Sequence, residues 1–228
     1  MSFKYDEIAS YYDKNYWDTP GVKSGYTNMT SAIGGEWHKQ ACGWFNSIIP
    51  VKGKKLFDAG CGLGHFMVAF KELGADVYGC DVSNYCARSL KNRFGNKFYQ
   101  TPMEEMRGVP QNTFDIVFCT STMEHIPKNL VERVFINLIK ICKPGGTIYI
   151  EIDTTPNDQK PVPEASHVNI RSWPLWLLEI NRPPYWWNHD YTLELKLRKQ
   201  TLFPGFPHPD WKFAVMKKIP RKMQQPVL

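Results

Sequence analysis

Residues 56 to 66 read Leu56-Phe57-Asp58-Ala59-Gly60-Cys61-Gly62-Leu63-Gly64-His65-Phe66. An apolar run ending in an acid, then a glycine-spaced turn, then the start of a helical pattern describes a buried strand feeding a helix. That is the layout of a ligand pocket at the carboxyl end of a first parallel strand. The acid precedes the glycines. Glycines at a free helix amino end suit a pyrophosphate, whereas a carboxylate beside them suits a ligand with a cationic amino group. The spacing is G-x-G-x-G, and His65 and Phe66 stand where a dinucleotide fingerprint wants its third glycine, which argues against NAD or FAD. Further on, Val77-Tyr78-Gly79-Cys80-Asp81 is a second apolar run ending in an acid, and its carboxylate can accept both hydroxyls of an unphosphorylated ribose.

Outward from this pair, apolar runs alternate with amphipathic ones. Strands are expected near 54–59, 75–80, 96–99, 113–119 and 145–152, with helices near 64–73, 83–93 and 128–142 between them. Gly74 and Gly95 stand where helices stop. Such alternation predicts an α/β fold with a parallel sheet and right-handed crossovers. Beyond residue 152 it breaks at Pro156, Pro161 and Pro163, followed by an apolar helix near 171–181 in which Trp173, Trp176 and Leu177 form the buried stripe. Thr192 to Leu197 alternates strictly, and Lys212 to Met216 follows as another strand. Ahead of the core, residues 3–16 predict an amphipathic helix lying across the pocket mouth. Tyr16, Trp17 and Tyr26 are expected in a loop around Pro20-Gly21, and a second helix over 28–48.

Three more motifs extend the series: Phe114-Asp115-Ile116-Val117-Phe118, then Met123-Glu124-His125-Ile126-Pro127, then Leu138 to Ile150 with its Lys143-Pro144-Gly145-Gly146 turn. In this order, over roughly residues 54–152, the chain resembles the class I S-adenosylmethionine (SAM) dependent methyltransferases. The segment Ser166-His167-Val168-Asn169-Ile170-Arg171-Ser172-Trp173 is similar to a loop of the O-methyltransferases encoded among surface-polysaccharide genes. The resemblance implies a Rossmann-like sheet of seven strands, order 3-2-1-4-5-7-6 with strand 7 antiparallel and helices on both faces. It also implies one domain over 1–228: an amino-terminal helical lid (1–50), a SAM-binding core (51–152) and an acceptor-binding insert with the closing strands (153–228).

For SAM, a sulfonium cation joined to an amino acid and an adenosine, the resemblance implies these roles. Asp58 holds the amino group, Gly60, Gly62 and Gly64 let main chain approach, and Asp81 takes the ribose hydroxyls. Val82 and Met103 cover the two faces of the adenine, and Cys119 and Thr120 line the wall nearest the sulfur. Capping of the following helices is the plainer role for the two acids, although two acids at adjacent strand ends exceed what capping asks.

Methyl transfer is an in-line displacement that needs alignment in a dry pocket, and a hydroxyl acceptor also needs a base. His125 and His167 are the candidates, with Glu124 and Asp153 beside them. Ubiquinone-pathway and small-RNA methyltransferases look similar here but carry E-x-x-E-H, which helps hold a divalent metal. This chain has Ser121 in place of the first glutamate, so a metal is not favoured. Tyr16, Trp17, Asn169, Arg171, Tyr185 and Trp186 are the further acceptor-binding candidates, since aromatic faces stack on sugar rings and polar neighbours bind hydroxyls. The acceptor expected is a saccharide or sugar-containing small molecule. Another small metabolite or an RNA end is the alternative within enzymes, although RNA would require a continuous cationic groove and the lysines and arginines are scattered. From a different class, a catalytically silent subunit that binds a partner would have been free to lose Asp58, the glycines and Asp81.

Composition sets wider bounds. Hydrophobic residues make up 43% and charged residues 22%, an ordinary globular balance. No apolar run approaches a membrane span and the amino end lacks a signal-peptide core, so a soluble cytosolic protein is expected. The six cysteines contain no C-x-x-C pair and are expected as reduced core thiols. Part of the net charge of +6 comes from Lys217, Lys218, Arg221 and Lys222, expected as a solvated tail.

Overall fold

A computed structural model describes residues 5–160, 163–180, 191–198 and 211–220. Seven strands, β1 (Lys55–Ala59), β2 (Asp76–Asp81), β3 (Phe98–Gln100), β4 (Phe114–Thr120), β5 (Cys142–Asp153), β6 (Tyr191–Arg198) and β7 (Trp211–Pro220), form one sheet of order β3-β2-β1-β4-β5-β7-β6. Strands β1 to β5 pair in parallel, and β7 runs antiparallel to both β5 and β6. This is the order and orientation that the family resemblance implied. The helices are α1 (Tyr5–Tyr11), α2 (Lys14–Asp18), α3 (Glu36–Ile48), α4 (His65–Glu72), α5 (Asn84–Phe94), α6 (Val131–Ile141) and α7 (Trp173–Ile180).

Successive residues of a strand face opposite sides, and the core divides accordingly. Phe57 and Ala59 of β1, with Val117 and Cys119 of β4, join the cluster that contains Val134, Phe135 and Leu138 of α6 and Trp176 of α7. Leu56, Ile116 and Phe118 turn the other way, into the cluster of Phe45 (α3), Phe70 (α4) and Leu90 (α5). A sheet covered on both faces leaves ligands the carboxyl ends of its parallel strands. There Asp58 pairs with Gly79 and Ala59 with Cys80, so that Asp58 and Asp81 stand at neighbouring strand ends. All six cysteines are buried and free, as expected for core thiols. Gly74 and Gly95 have positive φ just past α4 and α5.

Several local expectations are corrected. The segment 3–16 is not one helix: Asp13 takes an extended conformation and its Oδ1 accepts from Tyr16 N–H at 3.1 Å, capping a new helix on which Tyr16 and Trp17 ride. The second helix begins at Glu36 and not at residue 28, because Asn28 (φ 52°) and Gly34 (φ 72°) are left-handed and break the helical hydrogen-bond pattern. Lys218 is not part of a solvated tail. It is 2% exposed, and its ammonium donates to Asn112 Oδ1 and to the carbonyls of Ile139 and Cys142 at 2.7–2.9 Å, fastening β7 to the end of α6. Arg221 and Lys222 lie outside the described residues. Among the described residues no helix is long and apolar enough to cross a membrane.

Candidate functional site

The loops after β1, β2, β3 and β4, with the α1–α2 segment, enclose a cavity of about 580 Å³. Gly60, Gly62, Asp81 and Val82 line it from the first two strand ends, and Thr101, Pro102 and Met103 from the third. Ser121, Thr122 and His125 line it from the fourth, and Ile8, Tyr12, Tyr16, Trp17 and Tyr26 from the amino-terminal segment. The amino-terminal segment thus forms one wall of the cavity. Edge-to-face contacts join Tyr12 to Tyr16 and Tyr16 to Trp17, each at 4.8 Å between ring centres, and Trp17 stacks on Tyr26 at 5.6 Å. Ser83 Oγ donates to the Tyr12 carbonyl at 2.6 Å, and the Tyr16 hydroxyl donates to Glu164. Two sides of the cavity therefore hold this segment in place.

Asp58 is 1% exposed and its Oδ2 has no hydrogen-bond partner. Burial, and then the charge of Asp81, push its carboxyl up to about 8. A carboxylate left unmet in a dry place is costly unless a cation completes it, and that cost points to a ligand with positive charge. Asp81 is arranged differently. Its two oxygens accept the Gly62 and Ser83 N–H groups, each at 2.8 Å, which fix the carboxylate plane and partly offset a burial that raises its pKa. An ionised carboxylate offers about four acceptor positions, so roughly two remain for a diol.

Three glycines of the turn between the acids have positive φ, and two of them stand on the cavity wall. Gly60 has φ 76° and Gly62 φ 53°. A Cβ on Gly60 would fall 2.4 Å from Thr122 Cγ2, and one on Gly62 would fall 2.8 Å from the Trp17 ring. Gly62→Ala is therefore expected to destabilise the fold by about 1–3 kcal/mol, from left-handed strain plus overpacking. Thermal melting checks it, and an unchanged melting temperature would mean that Trp17 does not rest on this turn.

The predicted acceptor residues separate into two groups. His125 lines the cavity, with its Nδ1 3.2 Å from the Tyr12 hydroxyl, and burial, followed by the charge of His167, lowers its pKa to about 4. Its imidazole is therefore neutral near pH 7, with Nδ1 facing the Tyr12 hydroxyl and the ring also meeting the Ser166 main chain. His167 packs edge-on against it at 4.5 Å but has both ring nitrogens engaged, Nδ1 by the Lys160 ammonium and Nε2 by Glu164 Oε2 at 3.2 Å. Because an ammonium can only donate, Nδ1 accepts and Nε2–H points to Glu164. The sequence expectation that His167 could be the base is corrected: unlike His125 it does not line the cavity, and Lys160 and Glu164 hold its ring. Asp153 likewise faces Lys160 Oδ2-to-Nζ at 2.8 Å and accepts the Thr155 N–H at 2.8 Å, apart from the cavity.

Glu124 is buried with both carboxyl oxygens unpartnered, and burial pushes its pKa well above the ordinary range. Glu124, His125 and His167 offer ligand atoms within 4.8 Å of one another. A divalent cation nonetheless fits poorly. Binding through His167 would displace either Lys160 or Glu164, and the Lys160 ammonium would repel a second positive charge. Cys119 packs in the core and not on the cavity wall, where Ser121 and Thr122 stand instead, and Thr120 meets Thr122 through its carbonyl. Gly64 opens α4 behind the turn, whereas Val82 and Met103 line the cavity. Asn169 and Arg171 line a different cavity. Tyr185 and Trp186 lie outside the described residues.

Sequence reasoning missed Tyr12, Lys160 and Glu164. Burial favours the protonated Glu164 acid, but the His167 hydrogen bond, the charges of His125 and His167 and the Tyr16 hydroxyl outweigh it and hold the pKa down to about 2. Glu164 meets Tyr16 across 148 residues of chain, and no local pattern signals such a pair.

A family profile described as a methyltransferase domain matches residues 57–150. Among curated proteins, a ubiquinone biosynthesis O-methyltransferase of Albidiferax ferrireducens is 32% identical over 113 residues, 46% of this chain and 44% of that protein. Another of the same description, from Psychrobacter cryohalolentis, is 30% identical over 139 residues, 57% of this chain and 48% of that protein. The match covers about half the length of these curated relatives. Among solved structures, a TehB-like SAM-dependent methyltransferase of Corynebacterium glutamicum superposes with TM-score 0.60 at 19% identity, covering 82% of this chain and 91% of that one. Phosphoethanolamine N-methyltransferase 1 of Haemonchus contortus gives 0.61 at 13% identity, covering 83% of this chain and 44% of that one. At these identities the structural likeness concerns the fold.

Proposed function

We propose that the chain is a class I SAM-dependent methyltransferase, a reading supported by the methyltransferase-domain profile over residues 57–150, and that it transfers the methyl group of SAM to a hydroxyl of a small acceptor, a saccharide or a sugar-containing molecule. The observation that carries the donor half is the buried, unpartnered Asp58 carboxylate beside two glycines that clear the main chain, with Asp81 at the next strand end. SAM supplies an electrophilic methyl on a sulfonium. The chain's own residues bind and orient: Asp58 for the ammonium, Gly60 and Gly62 for close approach, Asp81 for the ribose diol, Val82 and Met103 for the base. Gly64, Cys119 and Thr120 act from behind, shaping the turn and the end of β4.

The acceptor half rests on His125, a neutral imidazole on the cavity wall that can take the hydroxyl proton as the oxygen attacks. Tyr12 orients that ring through Nδ1, and the aromatic wall of Tyr16, Trp17 and Tyr26 both excludes water and offers faces for a sugar ring. That the curated relatives are described as O-methyltransferases supports hydroxyl chemistry. His167, Lys160 and Glu164 position the loop behind His125, and no step here requires a metal.

SAM should raise the melting temperature by mass action, and Asp81→Ala should remove that rise while the free protein still melts cooperatively. No rise at millimolar SAM would remove the enzyme reading and favour a silent subunit. Unchanged SAM affinity in Asp81→Ala would show that the ribose lies elsewhere. Mass spectrometry of glycan and metabolite extracts incubated with the protein and labelled SAM would identify the acceptor, and label found only on RNA or on a sugar-free metabolite would overturn the saccharide assignment.

A further inference from the structure

A second cavity, of about 610 Å³, shares no lining residue with the first. It lies between α7 and the 168–171 segment, with Lys128 at its edge. Of the four large hydrophobic side chains exposed among the described residues, three stand here: Val168 at 48%, Leu175 at 50% and Leu178 at 69%. Scattered exposed aliphatics need no explanation, but three on one concave surface do.

The polar side of the cavity is built and incompletely satisfied. Arg171 is held on three sides: Nε donates to Asn169 Oδ1 at 3.0 Å, Nη1 to Glu179 Oε2 at 3.1 Å, and the guanidinium lies 4.2 Å over the Trp176 ring. Its Nη2 has no acceptor. Asn169, also buried, spends its main-chain N–H on the Glu124 carbonyl at 3.0 Å and its Oδ1 on Arg171, leaving Nδ2 without one. Two fixed, neighbouring donors, one of them charged, match the two oxygens of a carboxylate. Since Glu179 is already paired to Arg171, the cations Lys128 and Arg171 leave the lining with an excess of one positive charge.

We propose that this groove binds a free single-chain amphiphile with an anionic head, the carboxylate meeting Arg171 and Asn169 and the alkyl chain lying over Val168, Leu175 and Leu178. The volume falls within the ordinary range for small-molecule sites, about 300–1,000 Å³. A bilayer is the poorer occupant, because surfaces that read anionic membranes present clusters of about four to eight basic residues, and this lining has two.

Calorimetric titration of the whole chain with decanoate, with decanol and with phosphatidylglycerol vesicles tests the proposal. It needs neither SAM nor turnover, so its outcome is independent of the methyl-transfer reading. Decanoate is expected to bind at a single site, and decanol about tenfold more weakly for want of the charged contact. Leu178→Asp, at an exposed position, should weaken decanoate about tenfold or more without moving the melting temperature, and Arg171→Gln should bring decanoate down to decanol. No heat with decanoate, equal binding of decanol, indifference to Leu178→Asp, or heat with vesicles alone would each overturn it.

Discussion

Asp58→Asn is expected to weaken SAM binding by about 100-fold, on the order of 3 kcal/mol for removing one charge of a buried, hydrogen-bonded pair. The same change should make the free protein more stable at neutral pH. The carboxyl of Asp58 titrates near its ordinary 3.8 when unfolded and at about 8 when folded. Between those values the native state holds a proton that the unfolded chain has lost, so its contribution to stability is fully present below about 3.8 and disappears as pH rises through about 8. Asparagine cannot ionise. The variant should therefore gain on the natural protein progressively above pH 4, by roughly 1 kcal/mol per pH unit and several kcal/mol at the upper end. Melting curves at the two ends of that window, with and without SAM, measure both effects. Equal SAM affinity in the variant would show that Asp58 merely caps a strand end.

The second large effect concerns turnover. His125→Ala should lower kcat by about 100- to 10,000-fold, the usual range for loss of a general base, while SAM still raises the melting temperature. Because burial holds the His125 pKa at about 4, the imidazole is neutral across the physiological range. The rate of the natural protein should thus be flat through neutral pH and fall only on the acid side, as the ring is protonated near that value. A rate limb near 6.5, the ordinary position for histidine, would argue that His125 is more solvated than its surroundings indicate. His167→Gln gives the contrast. Its ring nitrogens are already taken by Lys160 and Glu164, so a loss of turnover as large as that in His125→Ala would move the base to His167.

The same contrast explains what could be read without coordinates. Leu56 to Gly64 was legible because its chemistry is local: a strand short and apolar on both faces, an acid at its end, glycines wherever φ is positive. Tyr16 and Trp17 were recognised as candidates, but their element was misjudged, since the Asp13 cap that starts α2 is one hydrogen bond in a polar stretch. Helix 28–48 was drawn too long, because Asn28 carries no marking of a left-handed backbone. Lys218 looked like surface charge until three acceptors were found around its ammonium.

The sequence alone therefore determined the alternation of strands and helices and the acid–glycine–acid turn, because period-two burial and backbone sterics act between residues a few positions apart, whereas the strand order was implied by the family resemblance. Tertiary structure alone decided which histidine faces the cavity, that Tyr12 and Tyr16 reach the loops after β4 and β5, and that Asn169 and Arg171 serve a separate groove. Those outcomes depend on hydrogen bonds between groups 113 and 148 residues apart, for Tyr12 with His125 and Tyr16 with Glu164. Proton positions and burial follow from such pairings, and no spacing along the chain encodes them.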